Sequence, residues 1–262
     1  MAKGHLTKKE LKRPDNLYVL IQRFLGSFAE NPKQLMVLGG VCLAVLLGIA
    51  GYSRHKTTQR EKSTGLLYTA FSAYEGEWDA LNPKPKLEKE KADKDSKKTP
   101  EKQPEPKPSL EFSKINVDEK LPKTLAAFSE VLKTYPKSPA AFRAALEVGH
   151  LHFRHLNPKK AIEWYKKAIE NSSTGQTKAV AFSALGHAHE NLSEYDQAEE
   201  SYTKGLDLGA APLKGELLMG LARVATEKKD LEKANQIYDR IEKEIPDSYY
   251  SRRASALKKA NF

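Results

Sequence analysis

The chain has 262 residues, a single cysteine and a net charge of +10, which gives length for one or two domains and no intrachain disulfide framework. The charge is uneven: residues 1–33 carry +4, residues 54–81 balance, residues 82–110 carry +3, and the remaining 152 residues carry +3 from 24 basic and 21 acidic side chains. The C-terminal bulk is therefore close to neutral, lacks a basic stripe with interleaved aromatics, and argues against nucleic acid as a partner.

In chain order, residues 1–33 read as a basic tail. Leu17, Leu20, Ile21, Phe24, Leu25 and Phe28 recur at three- and four-residue spacing behind Asp15 and Asn16. That pattern predicts a short amphipathic helix over 16–30, stopped by Asn31-Pro32. It lies on a membrane surface or continues as a kinked helix into the next segment. The surrounding lysines suit an anionic cytoplasmic leaflet.

Residues 34–53 follow, with eighteen uncharged positions from Leu35 to Tyr52. As a helix at about 1.5 Å per residue they span about 30 Å, the thickness of a bilayer core. No polar face interrupts them, as one would in a soluble core helix. Lys33 and Arg54 flank the run, where charged heads reach the interface. A cleaved leader is the rival reading, with Gly48-Ile49-Ala50 as its cut site. Leaders carry a shorter apolar region behind a short basic start, and 33 residues precede this one. Cys42, inside the run, reads as a small membrane-buried hydrophobe. The tail holds seven Lys/Arg against three acids, while next to the run the balance reverses, with two positive charges in 14–33 and four in 53–72. Because the positive-inside rule counts short loops and discounts long domains that translocate whole, a cytoplasmic N-terminus and a translocated C-terminal bulk are expected.

Residues 54–81 form a first helix leading into a solenoid, with Leu67, Phe71, Tyr74 and Trp78 on one face. It is expected to be continuous with the membrane helix. Residues 82–118 read as a disordered Lys/Glu/Pro linker. Six prolines and mixed charges in 82–110 leave too few apolar groups to offset chain entropy.

Residues 119–262 repeat. Ala161, Ala198 and Ala234 are spaced 37 and 36 apart, and each is followed four positions later by a tyrosine: Tyr165, Tyr202 and Tyr238. Twelve positions before them stand Gly149, Gly186 and Ala222. Small residues let two helices approach closely, and the aromatic fills the gap between them. A period in the mid-thirties with this pattern resembles the tetratricopeptide repeat. Units fall at 142–170, 179–209 and 215–246. An earlier half-unit at 121–136 takes 63–78 as its first helix, with the linker inserted between. The fold class is therefore all-α: one transmembrane helix, then a solenoid of about four helix pairs ending in a polar capping helix.

With these pieces placed, the chain resembles a family of bacterial single-pass inner-membrane proteins with a periplasmic tetratricopeptide-like domain, described as ancillary subunits of the Sec translocon. Three stretches carry the resemblance: Phe-Ala-Glu-Asn at 28–31, Tyr52-Ser53-Arg54-His55 leading into helix 63–78, and Leu-Pro-x-x-x-x-x-Phe at 121–128 running into the repeats. The long charged linker and the long basic tail depart from the compact family pattern. The resemblance implies inner-membrane localisation, with the N-terminus cytoplasmic and the C-terminal domain periplasmic. It implies protein partners: translocon subunits, periplasmic chaperones or client polypeptides. The alternative is a structural scaffold for envelope assembly or division. A eukaryotic organelle membrane is also conceivable, with Asn171 and Asn191 as glycan acceptors. Oligomeric state is left open.

No phosphate-cradling loop, His-Glu-x-x-His or Gly-x-Ser-x-Gly occurs. The chain is expected not to be an enzyme and to need no cofactor. His150, His152, His155, His187 and His189 cluster in two units. His150 matches His187 in repeat position, and His152 matches His189. No third ligand at metal spacing joins them, so packing or groove-lining roles are expected. In tetratricopeptide proteins the first helices of the pairs line a peptide groove. The matching positions here are Arg143, Leu146, His150, Phe153 and Arg154, then Ser183, His187, Glu190 and Asn191, then Glu216, Met219, Arg223 and Glu227. Mixed apolar and charged lining of this kind suits polypeptide better than a polyanion.

Overall fold

The computed structural model describes residues 32–82 and 115–260, with side chains from Met36 onward. The expected surface helix at 16–30 and most of the expected linker lie outside the described residues. The chain divides into two compact units, 1–58 and 59–262.

Helix α1 (Pro32–Leu81) crosses that division without a break. In the first unit every described side chain, Met36 to Thr58, is exposed. The exposed set includes Met36, Val37, Leu46, Leu47 and Ile49, each at least 60% accessible. The helix is long and apolar enough to cross a membrane, and none of its apolar window is buried.

In the second unit, residues 63–81 of α1 pack against α3 (Pro122–Thr134). Ala70, Leu121, Phe128 and Val131 are essentially inaccessible, and the Phe71 and Phe128 rings meet edge to face at 5.2 Å. Glu77 of α1 caps α3, which starts with a proline and has no cap of its own. Its carboxylate accepts from the Lys123 and Thr124 amides (3.0 and 2.9 Å) and the Thr124 hydroxyl (2.7 Å). This satisfies donors that a helix start leaves open. Burial pulls the Glu77 carboxyl up, but these bonds hold it below the usual carboxylate range.

The linker was expected to run through residue 118, but Val117–Lys120 forms a one-turn helix, α2. Asn116 caps it by accepting from the Asp118 amide at 3.2 Å. Val117, 2% exposed, is buried in the same cluster as Leu121. Val117 finds a core that linker composition alone cannot reveal.

Six helices continue as pairs: α4 (Pro139–Arg154) with α5 (Pro158–Asn171), α6 (Gly175–Asn191) with α7 (Tyr195–Asp207), and α8 (Lys214–Glu227) with α9 (Leu231–Glu244). A short 3-10 turn, Ala211–Leu213, precedes α8. Helix α10 (Tyr249–Ala260) closes the stack against α9 and α8. The starts are written in the sequence. Ser138, Asn157 and Asp230 accept from amides three residues on, and Thr174 and Thr177 make a reciprocal capping box. Each turn inside a pair holds one left-handed residue, Leu156, Ser193 or Lys229. Just after it, the amide of Asn157, Glu194 or Asp230 reaches back 2.9 Å to the carbonyl of His152, His189 or Ala225. This is a Schellman ending repeated three times.

The repeat anchors form the interior. Ala161, Ala198 and Ala234 are fully buried, and Tyr165, Tyr202 and Tyr238 are at most 2% exposed. A Cβ at Gly149 would lie 2.4 Å from the Tyr165 ring, and one at Gly186 would lie 2.5 Å from Tyr202. Only a hydrogen side chain admits those rings. The all-α solenoid of about four helix pairs expected from the period is the fold observed.

Candidate functional site

The first helices of successive pairs, α4, α6 and α8, are spatial neighbours. Ser183, His187 and Glu190 lie four and three residues apart, so one face of α6 presents all three. Glu216 and Arg223, two turns apart on α8, face them. Arg223 grips Glu190 with Nε to Oε1 at 3.2 Å and Nη2 to Oε2 at 2.9 Å, a two-pronged pairing that fixes the guanidinium plane. The Tyr202 hydroxyl, from α7, donates to Glu190 Oε2 and lies 3.0 Å from His187 Nδ1. Ser183 Oγ donates to Glu216 Oε1 at 2.6 Å, and His187 Nε2 is 3.4 Å from the same oxygen.

These contacts set the protonation states. Burial is the strongest single influence on Glu190 and raises its pKa, but bonds from His187, Arg223 and Tyr202 outweigh it and hold the carboxyl at about 2. Burial likewise disfavours charge on His187, yet Glu190 and Glu216 leave it above the ordinary histidine value. The Tyr202 phenol is pushed up, first by burial and then by Glu190. Glu216 is lowered, chiefly by its bond to His187.

The preceding unit repeats the scaffold with different charges. Tyr165 OH lies 3.1 Å from His150 Nδ1, and the His150–Tyr165 and His187–Tyr202 ring pairs share a centroid distance of 5.5 Å. Phe153 stands one repeat before Glu190, so His150 lacks the carboxylate that His187 has. Burial, reinforced by Arg154 and Arg143 against the pull of Glu147, keeps His150 below the ordinary value.

The sequence-derived groove set divides four ways. Ser183, His187, Glu190, Glu216 and Arg223 form the network above. Arg143, His150, Phe153 and Arg154 lie along α4, where Arg143 pairs with Glu147 at 2.6 Å. Asn191 and Glu227 are exposed at the ends of α6 and α8, and Glu227 accepts from Tyr195 OH at 3.4 Å. Leu146 and Met219 correct the expectation: at 5% and 3% exposure they belong to the core. Leu146 packs in the cluster that holds Ala161, Tyr165 and Leu185, and Met219 in the one that holds Tyr202, Tyr238 and Ile241. Ser183 is also buried, at 3%, but spends its hydroxyl on Glu216. Sequence reasoning missed Tyr165 and Tyr202 as polar members. The signal was present: a tyrosine stands 15 residues after the matched histidine in both units.

Between α4, α6 and the start of α8 a hollow of about 140 Å³ opens, lined by His150, Val180, Ser183, Ala184, His187, Leu213 and Glu216. His150 and His187, matched in repeat position, thus share one wall. Among the described residues, no three His, Cys, Asp or Glu side chains converge to hold a metal ion.

The family model for the tetratricopeptide repeat matches residues 120–175 and 183–249. These segments contain the helix pairs α4–α5 and α8–α9 whole, and all of α6–α7 except the first turns of α6. No curated protein matches the chain. Among solved structures, the crystal structure of MamA aligns over 56% of this chain and 98% of its own, at 20% identity and a TM-score of 0.39. The chain carries tetratricopeptide repeats, modules that generally bind proteins.

Proposed function

We propose that the chain is a membrane-anchored adaptor, without catalytic activity of its own, whose α4–α6–α8 face docks polypeptide segments. In this reading residues 34–53 span a bacterial inner membrane. Residues 1–33 stay cytoplasmic, and the solenoid works in the periplasm beside the Sec translocon and its chaperones, on secreted or envelope proteins. The observation that carries the docking role is the His187–Glu190–Arg223–Tyr202 network. Its polar groups are held in fixed geometry on a partly exposed face beside an open hollow, so little ordering entropy remains to be lost on binding. The anchor rests on the exposed apolar run of α1, and the translocon role rests on the sequence resemblance. Tethering raises local concentration, so weak contacts suffice.

The test combines topology with capture. Protease added outside spheroplasts is expected to degrade residues 59–262 and spare the tail. A photocrosslinker at Asn191 is expected to trap exported or envelope polypeptides. Protection of the solenoid together with capture of cytosolic proteins alone would overturn both the topology and the role. Stoichiometric complexes that persist when secretion is blocked would favour the scaffold instead.

A further inference from the structure

We propose that the hollow between α4, α6 and α8 is a socket for one cationic side chain, lysine or arginine, of a docked polypeptide, with Glu216 as its counter-ion. The inference rests on the docking reading above and adds what that face selects.

Size comes first. About 140 Å³ is the space of roughly five waters at ~30 Å³ each and falls below the ~300–1,000 Å³ of small-molecule pockets. It admits one long side chain and no cofactor. The lining comes second. Val180, Ala184 and Leu213 offer apolar walls, which suit the methylene stem of a lysine or arginine whose charged head ends at a polar rim.

The charges of the hollow are unequally paired. Glu190 is committed to Arg223 through two bonds, so that pair cancels. Glu216 is different. Its Oε1 takes Ser183 and His187, which fixes the carboxylate, while Oε2 accepts no hydrogen bond among the described residues. Its side chain is 39% exposed. When His187 is neutral, Glu216 has no cation bonded to it, and Arg223, engaged with Glu190, acts on it only as a minor charge effect. An incoming carboxylate would meet a like charge, and a purely apolar side chain would cover Glu216 without pairing it, which is costly. A cation satisfies both the walls and the rim.

A proton on His187 competes with that cation. The groups facing His187 are Glu190 on its own helix, Tyr202 on α7, Glu216 and Arg223 on α8, and His150 across the hollow on α4. Burial disfavours the His187 proton, but bonds to the two glutamates favour it more. Raising the pH through the His187 transition therefore removes a positive charge beside Glu216 and strengthens capture of the ligand cation.

The test uses the full chain in detergent micelles and fluorescent nonapeptide pools, degenerate except at the centre, which is Lys, norleucine, Gln or Glu. The Lys pool is expected to bind about 10-fold more tightly than the Glu pool, a difference of ~1.4 kcal/mol, with norleucine between them. Glu216→Gln is expected to erase the preference for Lys over norleucine, and Ala184→Leu, which fills the hollow, to weaken the Lys pool. Lys204→Gln, outside the hollow, should change neither. Lys-pool affinity should rise from about pH 6 to about pH 9, and His187→Gln should flatten that rise. Pools that bind with no central preference, or with a preference untouched by Glu216→Gln, overturn the socket and leave the docking reading standing. If no pool binds at all, both fail together.

Discussion

At the scale of single residues, His187 and Glu190 make opposite demands on pH, and the signs can be worked out. The folded pKa of His187 lies above its reference of 6.5. Its contribution to stability is therefore fully present below 6.5 and is lost as pH rises through the folded value. Glu190 is depressed from 4.5 to about 2. Its contribution is present above 4.5 and is lost as pH falls toward 2. The network thus supports the fold best between about 4.5 and 6.5. His187→Gln should cost stability in that window, by about 0.5–1 kcal/mol since the side chain is 37% exposed, and should cost less as pH rises beyond it. Urea midpoints across pH read the difference. Imidazole NMR titration should place His187 above 6.5 and His150, held down mainly by burial, below it. Coincident midpoints would remove the distinction between the two units. None of this was legible in the sequence, which marks both histidines as the same repeat position. What separates them is a neighbour from the next repeat, Glu216, and a substitution one turn away, Glu190 against Phe153.

At the scale of helices, the glycines test the packing argument. Tyr202, fully buried, is clasped on two sides: a Cβ at Gly186 would sit 2.5 Å from its ring and one at Gly220 would sit 2.7 Å away. Gly186→Ala should therefore destabilise by about 1–3 kcal/mol, because a ring held on both sides cannot retreat. Gly76→Ala is the counterpart. It lies in α1 with nothing within 4 Å, so replacing a flexible helical glycine should stabilise by about 0.5–1 kcal/mol. Equilibrium denaturation of the two variants should move in opposite directions. Gly149 and Gly186 were legible as contact points because their partners lie sixteen residues on, inside the same unit, and the period displays the pair. Gly220 and Gly215 were not, because their partners, Tyr202 and Tyr250, come from neighbouring elements. The Glu77 cap on α3 was hidden for the same reason: its amides lie 46 and 47 residues away in sequence. Periodicity reports what one unit does to itself, and stacking contacts leave no local trace.

At the scale of the whole chain, the two units differ in which solvent their surfaces suit. From Met36 to Ile49 the large apolar side chains stand exposed among the described residues, and a contiguous apolar surface of that extent is not what a water-soluble monomer carries. The ten residues from Ser53 to Lys62 are polar or charged, which marks the limit of the apolar run. This boundary was plain in the sequence because it depends on composition alone. The second unit draws its three core clusters entirely from residues 66–257, and each cluster spans at least two helices. In stacking of this kind each repeat is stabilised by its nearest neighbours within the solenoid. Residues 59–262 expressed alone should therefore be soluble, helical and cooperatively folded. The full chain should sediment with membranes and resist alkaline carbonate. Circular dichroism of the fragment and carbonate extraction of the full chain decide the matter independently. A fragment that aggregates would mean that the solenoid borrows stability from the anchor. A full chain released by carbonate would leave the apolar run without the lipid its exposure calls for, and the adaptor without its tether.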